Sequence, residues 1–241
     1  MSSWKQAFSL ARFELRKSKI GLWYLVVVLI AVSILFEDML PGYLANNFVG
    51  MDVFFLIAFG VPPVWMKRKE FQYQKIDENT WGSPLFITLT QLPIKKEVLV
   101  SSRFIIYFTF AIPFQIFLLI SLYTFSNEIR LSMQPSAYVV FSIIWMAYGT
   151  CLGGAFPAVD AGDRITLFKS TVQSIAFLTI LFAALTTFNL LYGDGLVTWT
   201  IMLANEWPIL SILVSIIVAI LAIRYYVNYA YKKMKTIDYL K

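Results

Sequence analysis

Along most of this chain the apolar residues do not alternate with polar ones. They fill whole blocks, and the polar residues gather between them. Six blocks stand out, at 20–36, 48–66, 104–125, 137–159, 170–191 and 207–227. A helix needs roughly 20 mainly apolar residues to cross about 30 Å of hydrocarbon, so each block predicts a transmembrane helix. The expected fold is therefore all-α, a polytopic membrane protein with six spans in a single domain over 1–241. The block at 20–36 is the shortest, and Trp23 and Tyr24 stand where interfacial anchors would hold its inner end. The connections 37–47 and 126–136 read as short loops. The third outer connection, "YGDGLVTWTIMLANEW", is semi-apolar. It reads either as a short helix dipping back into the membrane or as an aromatic-belt loop with Trp199 and Trp207 at headgroup depth.

One connection, 67–103, is long, and its polar pattern predicts structure of its own. Ser83-Pro84 is a helix start, because serine caps free N–H groups and proline at the first helical position has no donor to lose. Leu85, Leu89 and Leu92 then recur at i, i+4 and i+7, with Thr88, Gln91 and Lys95 elsewhere around the wheel, which predicts a short amphipathic helix. Pro93 should break it near Leu92, and Lys95, Lys96 and Glu97 should open a new helix leading into the third block. Upstream, "VWMKRKEFQYQKIDEN" reads as a helical extension of the second block beyond the membrane. The amphipathic strip can rest on headgroups, its lysines paired with anionic lipid, or it can be a stiff knuckle that another protein grips. The N-terminal "SSWKQAFSLARFELRKSKIG" predicts an amphipathic interfacial helix, with Trp4, Phe8, Ala11 and Leu15 along one side and Lys5, Arg12, Arg16 and Lys19 largely elsewhere.

Composition agrees with a bilayer setting: 59% of residues are hydrophobic and 14% charged, with a mean hydropathy of +0.70. Soluble domains have about 45–50% and about 25%. With six spans, nineteen of the twenty basic residues, from Lys5 to Lys241, fall on one side, and only Arg130 falls on the other. Excess Lys and Arg in short loops marks the cytoplasmic face, so both termini are expected inside. This retention also accounts for the net charge of +6 without nucleic acid, since no basic face is interleaved with stacking aromatics. The residues after the first block, "FEDMLPG", offer no small-residue cleavage site, so that block is expected to be a retained anchor. One cysteine, Cys151, and no histidine leave no disulfide, no histidine or cysteine-cluster metal site and no Ser-His or Cys-His nucleophile pair. Without a G-x-x-x-x-G-K-[ST] run the chain has no phosphate cradle for ATP hydrolysis of its own.

Within the blocks, Gly149, Gly153 and Gly154 have the small-residue spacing that lets helices approach closely. Pro62-Pro63, Pro113 and Pro157 predict kinks. Asp52 is the one acidic residue inside a block, which makes it a functional candidate, although its place near the outer end equally suits an interfacial role. Gln115, Gln173 and Asn189 are polar points that can glue helices together or line a substrate path. Asp160 and Asp163 in "VDAGDRI" do not make an intramembrane aspartyl protease, because the residue before Ala161 is aspartate rather than the glycine of a G-x-G-D motif.

The run "LTQLPIKKEVLVSSRF", 89–104, resembles a stretch that follows the second span in membrane subunits of type-2 ATP-binding-cassette exporters. Leu89, Leu92, Pro93, Lys95 or Lys96, and Glu97 fall on the matching positions, and the six-span plan with a basic N-terminal helix is also similar. The resemblance implies a bacterial plasma-membrane permease subunit that is not itself an enzyme. It implies that the short helix in 67–103 is a coupling helix docking on a cytoplasmic ATP-binding subunit, with Leu85, Thr88, Leu89, Gln91, Leu92, Pro93, Lys95, Lys96 and Glu97 as the candidate contacts. ATP and Mg would be bound by that partner, present as a pair, and the permease would work with a second permease chain, the same or related. The phenylalanine- and leucine-rich spans suit an amphipathic or hydrophobic cargo, such as a peptide or antimicrobial. Ion-coupled secondary transport and a non-transporting immunity or scaffold role are the competing functions.

Overall fold

The computed structural model describes residues 3–77 and 80–236, so Lys241 of the basic count lies outside the described residues. Helix dominates. In chain order come α1 (Ser3–Lys17), α2 (Lys19–Asn46) and α3 (Val49–Gly60), the last followed by a 3-10 turn, Pro62–Met66. Two short strands, β1 (Gln74–Lys75) and β2 (Thr80–Gly82), precede α4 (Pro84–Thr90) and α5 (Lys96–Phe125). Then follow α6 (Asn127–Ser132), α7 (Pro135–Gly153), α8 (Ala155–Val159) and β3 (Asp163–Arg164). The chain finishes with α9 (Leu167–Tyr192), α10 (Leu196–Glu206) and α11 (Pro208–Thr236). Among the described residues five stretches are long and apolar enough to cross a membrane: α2, α5, α7 with α8, α9 and α11.

The first span is not the shortest. α2 runs for 28 residues through the expected loop 37–47 and past Pro41, to Asn47, which takes the left-handed conformation that asparagine tolerates. Packing carries the helix past the proline: Leu40 and Tyr43 are buried, and the Tyr43 hydroxyl donates to Asp52 on α3 at 2.6 Å. The second block does not make one long helix either, and its expected extension beyond the membrane is absent. α3 stops at Gly60 after 12 residues because neither Pro62 nor Pro63 has an N–H to return to the preceding turn. Lys67 is extended, and only a single 3-10 turn, Lys69–Phe71, follows before β1.

That break frees carbonyls, and neighbouring helices take them up. Gln115 Nε2 on α5 donates to the Phe59 carbonyl at 2.9 Å, and the Tyr107 hydroxyl donates to the Gly60 carbonyl at 3.1 Å. Two of the expected packing glycines make room for these donors. A methyl group on Gly149 of α7 would lie 2.2 Å from Gln115 Nε2 and 2.8 Å from the Phe59 carbonyl oxygen, and one on Gly153 would lie 2.0 Å from the Tyr107 hydroxyl. The third, Gly154, sits against the Tyr226 ring of α11. Aromatic contacts fill the same core, where Phe55 and Trp145 touch each other and both Phe59 and Phe141 between α3 and α7.

The chain is also not purely helical. β1, β2 and β3 form an antiparallel sheet in that order, pairing Trp81 with Asp163 and Lys75 with Trp81. No local periodicity announces strands this short, since they exist only because 67–103 meets the turn after α8. At the opposite end the connection 126–136 includes the short helix α6, and the semi-apolar connection forms the helix α10 rather than a loop.

Replacing Gly149 with alanine should push α7 away from the α3 break and cost about 1–3 kcal/mol in detergent melting. Gly42→Ala, where the methyl meets nothing within 4 Å, should instead stabilise by about 0.5–1 kcal/mol. Equal effects at the two positions would contradict the close approach.

Candidate functional site

The amphipathic segment forms α4, and Pro84 opens it as its residue type requires. Ser83 precedes it in an extended conformation but makes no side-chain cap, contrary to the expected serine cap. The face that packs holds only part of the leucine stripe and adds Phe86 to it. Phe86 and Leu89 are buried, Leu85 is half-buried, and Leu92 is 50% exposed. The reason is that α4 ends at Thr90, before Leu92 can complete a further turn, and the chain then bends through Pro93. Thr88, Gln91, Leu92 and Pro93 together form an exposed tip. Lys95 precedes α5 in an extended conformation, and Glu97 stands exposed in the first turn of α5, where a carboxylate suits the helix dipole. Lys96 reaches elsewhere, donating to the Met234 carbonyl of α11 at 3.1 Å.

Beneath this tip lies a group of charges that the sequence reading does not bring together. Arg103 of α5 and Glu14 of α1 form a fully buried two-pronged ion pair, with Arg103 Nη1 donating to Glu14 Oε2 at 2.9 Å. The same guanidinium lies 5.6 Å from the centre of the Phe86 ring, on the inner face of α4. A second buried pair joins Lys67, after the α3 turn, to Asp160, after α8, at 2.5 Å. Burial raises the Glu14 carboxyl above its ordinary range. Arg103 and Lys67 pull it the other way, and Asp160 adds to the rise. The two pairs therefore feel one another and tie α1, α5 and both of the connections flanking the sheet into one unit. Beside them, burial, with the nearby Asp163, Tyr229 and Asp160, pushes the Tyr73 phenol up to about 12, so it stays neutral.

A sign of the α1–α5 contact is nonetheless present in the sequence. Ala7, Ala11 and Glu14 follow helical spacing, and all three are buried, two small residues admitting α5 closely and one acid meeting Arg103. Of the expected apolar side, Ala11 is buried and Leu15 half-buried, whereas Trp4 and Phe8 face away from the protein, 70% and 60% exposed.

No family model, curated protein or solved structure matches this chain. The functional reading therefore rests on geometry and on the residues themselves.

The polar candidates inside the helices do not form one path. Asp52 and Asn189 belong to a single cluster at the start of α10. Asp52 accepts from Tyr43 and from the Val197 backbone N–H at 3.0 Å, while Asn189 donates to the Asn47 carbonyl at 2.8 Å. Asn47 in turn accepts from the Thr198 hydroxyl at 2.9 Å. A buried carboxylate thus meets the free N–H groups of a helix start, where its charge complements the helix dipole. Gln115 lies about two turns further along, at the α3 break. Gln173 is exposed on α9, apart from the others. Among the described residues no cluster of three or more acidic, cysteine or histidine side chains offers a metal site.

Glu14→Leu alone should strand buried Arg103 and cost about 3–5 kcal/mol, whereas adding Arg103→Met should recover most of the loss. A double variant as unstable as the single one in a melting cycle would disprove the pairing. Asp52→Ala should cost about 1–3 kcal/mol by leaving the Tyr43 hydroxyl without its acceptor and the Val197 N–H with the Tyr43 oxygen alone, at 3.1 Å, read as faster hydrogen exchange at Val197.

Proposed function

We propose that this chain is the membrane subunit of an ATP-driven exporter, moved by a separate ATP-binding partner and working beside a second permease chain. The observation that carries the reading is the α4 joint: an exposed tip of Thr88, Gln91, Leu92 and Pro93 backed by buried ion pairs rather than by a flexible linker. Force applied to such a tip passes through Phe86 and Arg103 to α5 and α1 together, because a stiff connection transmits displacement that a loose one absorbs. The concentration of basic residues at this end supports a cytoplasmic setting for it, where ATP and Mg on the partner would be found.

Six crossings follow if α3 and its 3-10 turn act as one span. Twelve α-helical residues rise about 18 Å and five 3-10 residues about 10 Å, close to the 30 Å of a hydrocarbon core. Two contacts support this. Asp52, near the start of α3, bonds Tyr43 near the end of α2, while Met66, at the end of the turn, lies against Gly21 near the start of α2. The turn therefore returns the chain to the level at which α2 began. The cargo is an amphipathic or hydrophobic molecule, in keeping with the phenylalanine- and leucine-rich spans.

Leu92→Asp combined with Thr88→Asp alters only exposed positions, so insertion and melting should be unchanged. Transport should fall more than about ten-fold, the effect of losing roughly 1.4 kcal/mol of coupling at the tip. Undiminished transport, or the absence of an ATP-binding subunit after purification of the native complex, would reject the exporter reading. Transport that persists without ATP but collapses with the proton gradient would favour an ion-coupled carrier.

A further inference from the structure

The run of α2 through the expected loop carries Glu37 into a helix. Measured from Gly21, which lies against Met66 at the end of the 3-10 turn, Glu37 is about 24 Å along the helix axis. A hydrocarbon core is about 30 Å thick, so counted from that level the carboxylate stands just inside the far edge, where an ionisable side chain marks a functional position. It lines a cavity of about 260 Å³ between α2 and α5. Ser33, one turn before it on the same face of α2, lines the cavity too, as does Ser121 of α5. The remaining walls are apolar.

The polar atoms of this lining can only accept. The Ser33 and Ser121 hydroxyls lie 2.7 Å apart, and each also meets a carbonyl of its own helix, Leu29 at 2.7 Å and Leu118 at 2.8 Å. Both hydroxyl hydrogens are therefore used within the protein, and lone pairs are what the serines have left to offer. Glu37 adds further acceptor oxygens and forms no ion pair among the described residues. No basic residue lines the cavity, and Arg130, in the connection after α5, is already bound to the Tyr123 and Thr124 carbonyls. A phosphate or carboxylate ligand would thus meet a like charge with no cation beside it. A hard metal cation takes about six or more oxygens, which three oxygen-bearing side chains among apolar ones do not supply. What fits is a cationic donor with an apolar body.

We propose that this cavity binds a cationic amphiphile, a primary ammonium carried directly on an apolar chain. The ammonium donates to Glu37 and to the serine pair, the Phe125 ring adds an aromatic face for the charge, and the chain lies along Leu29, Ile30 and Ile34. The volume suits the ammonium-bearing end of a ligand, since pockets for whole drug-sized molecules run to roughly 300–1,000 Å³. The site is independent of the exporter reading, because it requires only that α2 cross a membrane.

The test places the full chain in phosphatidylcholine nanodiscs and measures binding of tritiated decylammonium by scintillation proximity, with protein-free discs subtracted for simple partition. Wild type should bind one equivalent saturably, and unlabelled decylammonium should displace it where decanol does not. Glu37→Gln should weaken binding about ten-fold or more, the effect of losing a hydrogen bond to a charged group. Ile34→Trp, which fills the cavity from an exposed helix position, should abolish binding while keeping the carboxylate. Asp38→Asn, an exposed carboxylate beside the cavity but outside its lining, should leave binding unchanged. All three positions are exposed, so melting should be unaltered. No saturable binding, equal competition by decanol, or equal losses in Glu37→Gln and Asp38→Asn would overturn the proposal. Displacement by millimolar sodium would overturn it in favour of a bare ion, and displacement by phosphatidylethanolamine in the discs would overturn it in favour of a lipid headgroup.

Discussion

A backbone carbonyl inside hydrocarbon must find a donor within the protein, and much of this fold follows from that requirement. Pro62 and Pro63 end α3 early and leave the Phe59 and Gly60 carbonyls without helical partners. Gln115 and Tyr107 supply the missing donors from α5, and Gly149 and Gly153 give them space on α7. A prolyl break, two polar side chains and two glycines are thus parts of one arrangement. Removing any of them leaves a polar group exposed to an apolar interior or a methyl group in space already taken.

At the basic end a different cost operates. Burying Glu14 and Arg103 together does not clearly favour folding, as the raised Glu14 carboxyl indicates: burial outweighs the attraction of its partners. Direction is what the pair provides. Rotating α1 by a third of a turn would strand a charge in the core, so only one face of α1 can meet α5. The same guanidinium lies against Phe86, so the orientation of α1 and the seat of α4 are set together. Lys67 and Asp160, with the three-stranded sheet, hold the two neighbouring connections in the same block. A short helix with only seven residues, too short to be stable alone, thereby becomes a firm projection.

Burial is distributed unevenly among the long helices. α5 is packed along much of its length, whereas α9 buries only Leu185 among its described side chains. In water such a helix would be unstable against the bundle. In lipid its exposed phenylalanines, leucines and isoleucines carry no penalty, and its ends are held by Asn189 at one side and by the turn after β3 at the other.

The helical, membrane-type character of the protein and most of its helices were legible in the chain alone, because crossing a membrane requires long apolar blocks whose length and hydropathy are local properties. The sequence also determined the start of α4 at Pro84 and its stop before Pro93, since proline acts on its own neighbours. The three packing glycines were legible for the same reason, as spacing along one helix. Tertiary structure decided whatever depended on partners distant in the chain. It carried α2 through Pro41 to Asn46, made strands of 74–75 and 80–82 once 163–164 lay beside them, and turned Phe86 rather than Leu92 inward. It joined Glu14 to Arg103, 89 positions apart, and Lys67 to Asp160, 93 apart. A charge in a sequence reads the same whether it will face water or another charge. Only the folded chain, by excluding water from both members of a pair, assigns it one role or the other.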